Sequence, residues 1–217
     1  MADHSQRALI TGVAAVAPNG GDTSSYWAAT LSGVSGLRPI SRFEADGYPV
    51  RVAGLVDDLN PAEQCGDRLA VQTDRWTQFA LAAGERALAD AKIGPDDIDH
   101  LSAHATSTPV GDQAEAIALG RLFTSRNLRP PVTASKALTG HGLSLSGVMQ
   151  AAFAMLAIGG GFIPGNPHLG TACPECDGLE LPRGTLSRRP TTILSNSSGF
   201  GGSNVCHVIV APERNTD

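Results

Sequence analysis

The stretch HLSAHATSTPVGDQAE, residues 100–115, starts apolar, reaches His104, passes Thr106 and Thr108, and leads into what reads as a helix opening at Asp112. A histidine at a strand end is most often a satisfied core residue or a surface one. Its other use is chemical: a neutral imidazole donates a hydrogen bond or moves a proton without carrying a permanent charge. The natural partner for such a histidine is a nucleophile, and four cysteines are available, Cys65, Cys173, Cys176 and Cys206. Cys65 falls in an unpatterned stretch, Cys173 and Cys176 in a Pro-rich loop, and Cys206 on an expected strand. None begins a buried helix whose dipole would lower a thiol pKa. CPEC at 173–176 has the spacing of a metal-ligand pair, but no second pair follows and the histidines are not clustered near it. A plain loop is therefore expected there rather than zinc or a redox dithiol.

The elements that must position His104 are legible in the hydrophobic pattern. ALITGVAAVAP, 8–18, is a β-branched run ended by Pro18 and Asn19-Gly20-Gly21, the pattern of a buried strand entering a turn. SYWAATLSG, 25–33, reads as a short helix with Ser or Thr ahead of it and Gly33 behind. From 34 to 70 the pattern is weak, with VRVAGLV at 50–56 a candidate strand. Thr73 or Asp74 caps a helix over 74–91, in which Trp76, Phe79, Ala80, Ala83, Ala87, Leu88 and Ala91 recur at spacings of three and four. A strand is expected in HLSAHAT, an acid-capped helix over 112–123, a strand in PVTAS, an almost wholly apolar helix over 144–160, and two final strands in TTILSNSS and NVCHVIVAP. The resulting order is β-α-β-α-β-α-β-β, which implies an α/β fold with helices on both faces of a mixed sheet. A helix as apolar as 144–160 must be covered on all sides, so something outside a simple three-layer domain is expected to cover it.

The 217 residues are enough for a sizeable core. With 41% apolar and 17% charged residues the chain has the profile of a folded soluble protein. The net charge of −5 and the scattering of its 16 Lys and Arg leave no basic stripe for nucleic acid. MADHSQRALITGV has no basic region followed by a long apolar one, and no apolar run is read as a membrane span, so no membrane partner and a cytoplasmic location are expected. Four unevenly placed cysteines suggest reduced thiols.

Three motifs together resemble those of the β-ketoacyl-[acyl-carrier-protein] synthases of the thiolase superfamily. AHATSTPVGDQAE is similar to the family's His-containing motif, SKALTGH at 135–141 to its Lys and His motif, and SNSSGFGGSN at 195–204 to its glycine-rich motif. ALITGVAAVAPNG and TDRWTQFALAAGERALADA resemble the family's N-terminal region, with the flavour of the chain-length factors of aromatic polyketide systems. The resemblance implies a thiolase-like fold. It further implies a single half assembled from an N-terminal ketosynthase-like region, 1–92, and a C-terminal one, 99–217, with a seam near 92–99. The family's segment with the nucleophilic cysteine at the start of a buried helix is not found.

Residue by residue, the resemblance implies that His104 and His141 are the two catalytic histidines and Lys136 the lysine behind them. Thr106 and Thr108 match the pair that holds the pantetheine arm. Phe200, Gly199 and Gly201 match the gate and the turn that supplies part of the oxyanion hole. Glu115 is a candidate partner for Lys136. Ser198 stands where the family usually has phenylalanine, and Ala105 where glycine is commoner. No metal and no bound cofactor are implied; phosphopantetheine would be presented by acyl-carrier protein. The implied partners are that carrier protein and a second subunit covering 144–160, as a homodimer or a heterodimer with a ketosynthase-type chain. The expected activity is on acyl or malonyl thioesters in fatty acid or polyketide biosynthesis, without a cysteine in cis. A non-catalytic, chain-length-factor-like subunit is the alternative.

Overall fold

The computed structural model describes residues 8–212, so the N-terminal reading over residues 1–7 lies outside the described residues. β1 (Leu9–Val16) leads to α1 (Thr23–Leu31), then β2 (Leu37–Pro39), β3 (Val52–Gly54), α2 (Pro61–Cys65), α3 (Asp67–Gln72) and α4 (Arg75–Ala91). β4 (His100–Ser102), α5 (Pro109–Phe123), β5 (Val132–Thr133), α6 (Lys136–Thr139), α7 (Ser146–Gly160), β6 (Thr192–Ser198) and β7 (Asn204–Val210) follow. The main sheet has the order β1-β7-β6-β4-β5. β7 runs antiparallel to its two neighbours β1 and β6, while β6, β4 and β5 run parallel, so the sheet is mixed as expected.

Strand alternation assigns the two faces. On one side Val16, Leu101, Leu194 and Val208 join α4 and α5 in the larger core, with Phe79, Ala83, Leu88, Leu119 and Phe123. On the other, Ile193 and Ile209 meet Ala154, Ala157 and Ile158 of α7. α4 lies so close to β1 that a Cβ at Gly12 would stand 2.3 Å from the carbonyl oxygen of Ala87; glycine is required there by the helix's approach.

Several boundaries differ from the sequence reading for local reasons. α1 is capped by Asp22, whose carboxylate accepts from the N–H of Ser25 while the Ser25 hydroxyl accepts from the N–H of Asp22, a reciprocal box. Asp74, rather than Thr73, caps α4. α5 begins three residues before Asp112, with Thr108 at the cap position and Pro109 in the first turn, where its missing N–H costs nothing. The Asp112 carboxylate instead accepts from the N–H of Ser107. The candidate strand at 50–56 contracts to β3, and it pairs with β2, which the weak pattern concealed.

Across residues 92–99 the chain is continuous and well anchored. α4 ends at Lys92 in the left-handed region, and the Asp99 carboxylate accepts from the N–H and hydroxyl of Thr191 and the N–H of Thr192. Leu143–Gly160 forms 18 helical residues of mean hydropathy 1.5, which is long and apolar enough to cross a membrane and corrects the view that no run reaches that length. One side of α7 packs on the sheet. The other carries Val148 and Leu156, 67% and 63% exposed.

Candidate active site

The three parallel strands end at one edge of the sheet, and the motif residues are collected there. His104 follows β4, Lys136 follows β5 at the start of α6, and His141 precedes α7. An open α/β sheet commonly places its functional residues beyond the carboxyl ends of its strands, because the loops there converge while the strands hold them rigidly.

The backbone of His104 is gripped from two sides. Glu115, about two α5 turns beyond the cap, accepts from the N–H groups of His104 and Ala105, each at 2.7 Å. Lys136 donates to the His104 carbonyl. The candidate Glu115–Lys136 pair is therefore indirect: the two charges clasp the same residue, and no ion pair joins them among the described residues. Glu115 also accepts from the Asn196 amide at 2.7 Å, and the Cys206 thiol donates to the other end of Asn196 at 3.2 Å. Burial pushes the Glu115 carboxyl above its usual range, opposed by these N–H donors. Burial pulls the Lys136 ammonium down, opposed by Glu115 and Asp112.

Lys136 has three acceptors for its three N–H groups. Besides the His104 carbonyl they are Gln150 Oε1 at 2.8 Å and His104 Nδ1 at 3.3 Å. The contact with Nδ1 fixes the tautomer of His104, since a nitrogen that accepts from an ammonium leaves its partner nitrogen, Nε2, to carry the proton. Burial, then Lys136, then His141 lower the His104 pKa to about 4, so its ring is neutral near pH 7. At His141 the same tautomer is set by different partners. Its Nδ1 accepts from the N–H of Leu143 at 3.0 Å and lies 2.8 Å from the Ser146 hydroxyl, so Nε2 is again the donor. The two rings stand edge to face with centroids 5.6 Å apart. Each ring thus keeps an Nε2–H donor, a group suited to an oxygen on which negative charge develops.

Gln150 is the residue that sequence reasoning missed. It is a buried polar residue of an apolar helix, 1% exposed, and its amide donates to Ala103 and Asn196 carbonyls at 3.1 and 2.9 Å while its oxygen receives Lys136. One glutamine thus ties α7, β4 and β6 to the lysine. A polar residue at an inward position of an apolar run was the available signal.

Lys136, His141 and Thr106 line a cavity of about 610 Å³ whose opposite wall is apolar, with Leu119, Leu179 and Leu181. His168 and Cys176, which the sequence did not single out as site residues, also line it. His104 borders an adjoining crevice with Trp76, Asn196 and Ser198. Thr106 and Thr108 face each other with hydroxyls 3.1 Å apart. Ala105 and Ser107 have φ of 33° and 65°, left-handed values that favour glycine. The departure from glycine noted at Ala105 is therefore a strained position in the site loop.

The glycine-rich motif forms the turn between β6 and β7, with Gly201 and Gly202 at φ 83° and 84°. Gly199, Gly201 and Phe200 do not line the cavity, and Phe200 is 91% exposed. Ser198 is buried and donates to Asn204 at 2.7 Å. Of the cysteines, Cys206 is buried on β7 and burial raises its thiol pKa far above the usual value, so it is no thiolate. The side chain of Cys65 lies outside the described residues. Among the described residues no group of three or more His, Cys, Asp or Glu side chains is gathered as a metal site.

Residues 63–170 match the family described as "Beta-ketoacyl synthase, C-terminal domain", a match that crosses 92–99. The chain is 39% identical over 177 residues to 3-oxoacyl-[acyl-carrier-protein] synthase 1 of Escherichia coli, covering 76% of this chain and 43% of that protein. It is 53% identical over 91 residues to the tetracenomycin polyketide synthase ketoacyl synthase beta subunit of Streptomyces glaucescens, covering 42% and 22%. Among solved structures it resembles a type II polyketide synthase acyl-carrier protein in complex with its ketosynthase bound to the hexaketide, with a TM-score of 0.56, 27% identity, and coverage of 63% and 32%. The chain thus spans less than half the length of these relatives.

Proposed function

The chain belongs to the β-ketoacyl synthase family of the thiolase superfamily, and from that premise we propose that it acts on acyl or malonyl thioesters of acyl-carrier protein in polyketide or fatty acid biosynthesis. The observation that carries this reading is the pair of imidazoles, each with Nδ1 engaged as an acceptor and Nε2 left as donor. In malonyl decarboxylation the bond to the carboxylate breaks, CO₂ leaves, and the electron pair passes to the thioester oxygen as an enolate. Nε2–H of His104 and Nε2–H of His141 stabilise that oxygen, and a proton from solvent then returns to the α-carbon to give the acetyl thioester. Lys136 acts through His104 by holding its tautomer and backbone. Thr106 and Thr108 are assigned to the phosphopantetheine arm, and Gly199, Phe200 and Gly201 to a gating turn that would have to approach the site on carrier-protein binding.

Among the described residues no thiolate lies beside the two histidines, so covalent condensation is assigned to a partner chain. The carrier-protein complex supports acyl-carrier protein as one partner, and the exposed outer side of α7 is assigned to the other, a ketosynthase-type chain or a second copy. On this reading 1–92 and 99–217 make one thiolase-type half working in the cytoplasm. The resemblance to a ketoacyl synthase beta subunit favours a second reading, a chain-length-factor-like subunit with no reaction of its own.

The deciding experiment incubates the protein with malonyl- and acyl-carrier proteins, alone and with a full-length synthase, and follows the thioesters by mass spectrometry. Acetyl-carrier protein is expected to accumulate, and His104→Ala with His141→Ala is expected to reduce the rate at least 100-fold, about 2.7 kcal/mol of barrier. Turnover that survives the double substitution refutes the histidine assignment. Turnover absent in every mixture favours the subunit reading.

A further inference from the structure

CPEC is the motif that the proposed reaction leaves unused. Pro174 starts a single turn of 3-10 helix, held by Cys176 N–H to Cys173 C=O and Asp177 N–H to Pro174 C=O, with Leu179 N–H to Cys176 C=O just beyond it, each 3.0 Å. An i to i+3 turn places the first and last side chains on the same side. The two sulfurs accordingly stand 3.2 Å apart, in thiol-to-thiol contact. Both cysteines are partly accessible, neither buried nor fully exposed. Cys176 and Leu179 belong to the wall of the 610 Å³ cavity that also contains Lys136 and His141. Two thiols without a further ligand do not complete a zinc site, and no third donor is grouped with them among the described residues.

We propose that Cys173 and Cys176 form a reactive dithiol that closes to an intrachain disulfide by exchange with low-molecular-weight disulfides, fixing one wall of the cavity. The geometry needs little change: a disulfide bond is about 2.05 Å long, so the sulfurs must approach by roughly 1 Å, within reach of small side-chain rotations. The exchange balances in two steps. The Cys173 thiolate attacks one sulfur of RSSR, forming a Cys173–SR mixed disulfide and expelling RS⁻. Cys176 then gives up its proton and attacks the Cys173 sulfur, expelling the second RS⁻. The protein has lost two electrons and two protons, and RSSR has become two RSH.

The order of attack follows from the surroundings. Burial, reinforced by the contact with Cys173, pushes the Cys176 thiol up to about 12, so it is the slower, resolving sulfur. Burial of Cys176 persists in the mixed disulfide, so the second step should quicken as pH is raised and its thiolate fraction grows.

The test equilibrates the full chain in oxidised and reduced glutathione, quenches with an alkylating reagent, and reads intact and peptide masses. The expected result is joint loss of two alkyl groups and a 173–176 peptide about 2 Da lighter, reversed by excess reduced glutathione. Cys176→Ser is expected to stop at the mixed disulfide on Cys173, with circular dichroism verifying its fold. A wild-type chain that stops at the mixed disulfide, fails to react, or pairs either cysteine with Cys65 or Cys206 overturns the proposal. None of these outcomes depends on whether the two histidines are catalytic.

Discussion

The two faces of the main sheet are built from different materials. Toward α4 and α5 the strands present Val16, Leu101, Leu194 and Val208, and α4 alone buries ten residues. Toward α7 the same strands present Ile193 and Ile209 but also His100, Ser102, Ser195 and His207, and α7 seats five. Ser102, Ser195 and His207 are register neighbours, so a polar row crosses β4, β6 and β7. His100 Nδ1, Ser195 Oγ and His207 Nδ1 are buried with no hydrogen-bond partner among the described residues. The first face supplies apolar stabilisation. The second gives up some of it to hold the polar side chains that lead, through Gln150 and Lys136, to His104.

The sharpest way to break this contrast is Gln150→Leu. It adds apolar surface to α7 but removes an acceptor from a buried ammonium and the donor to two carbonyls, so it should cost about 4 kcal/mol in urea unfolding. A neutral outcome would mean that α7 behaves like α4. Leu88→Ala on α4 removes a side chain only 3% exposed and should cost about 3 kcal/mol by the same measurement.

The polar face should also make stability depend on pH. Burial holds the His100 pKa at about 4 in the fold against 6.5 for the free group. Between those values the unfolded chain takes up a proton that the fold resists, so stability is greatest above pH 6.5 and falls as pH is lowered toward 4. His100 contributes up to about 3 kcal/mol to that fall. His104 and His207, both with lowered pKa, act in the same direction. His100→Leu should flatten the slope of unfolding midpoint against pH; an unchanged slope would assign it elsewhere.

The smallest expected effect is the most diagnostic for assembly. Leu156→Ser on the outer side of α7 should change the stability of an isolated chain by about 0.5 kcal/mol or less, because that side chain is 63% exposed. A cost that grows with protein concentration would reveal a second copy seated on this side.

Much of this organisation could be read from the sequence. α4 and α7 follow from apolar spacing, and β6 and β7 from β-branched runs, because each is local and strongly patterned. The start of α5 was misplaced because Thr-Pro is a cap signal that the acidic Asp112 outweighed. β2 was missed because its three residues gain their strand conformation from β3, not from their own pattern. In the site, His104, His141 and Lys136 were accessible through their motifs, but the tautomer of each ring was not. That depends on Leu143 N–H and Lys136 Nζ, brought close by the turn before α7 and by the packing of β4 beside β5. Gln150 and Asn196 joined the network for the same reason, across 46 to 81 positions of chain.

The strand order has a consequence in time. β1 lies at the sheet edge and pairs only with β7, Leu9 opposite Val210 and Val16 opposite Asn204. During synthesis the first strand must therefore wait for the last, on the order of ten seconds or more at about 5–20 residues per second. Until then the backbone donors of β1 and the underside of α4 have no lasting mate. The sheet between β1 and β6 is complete only once residues 204–210 are available, so the unfinished chain is the form most open to proteolysis and misassociation.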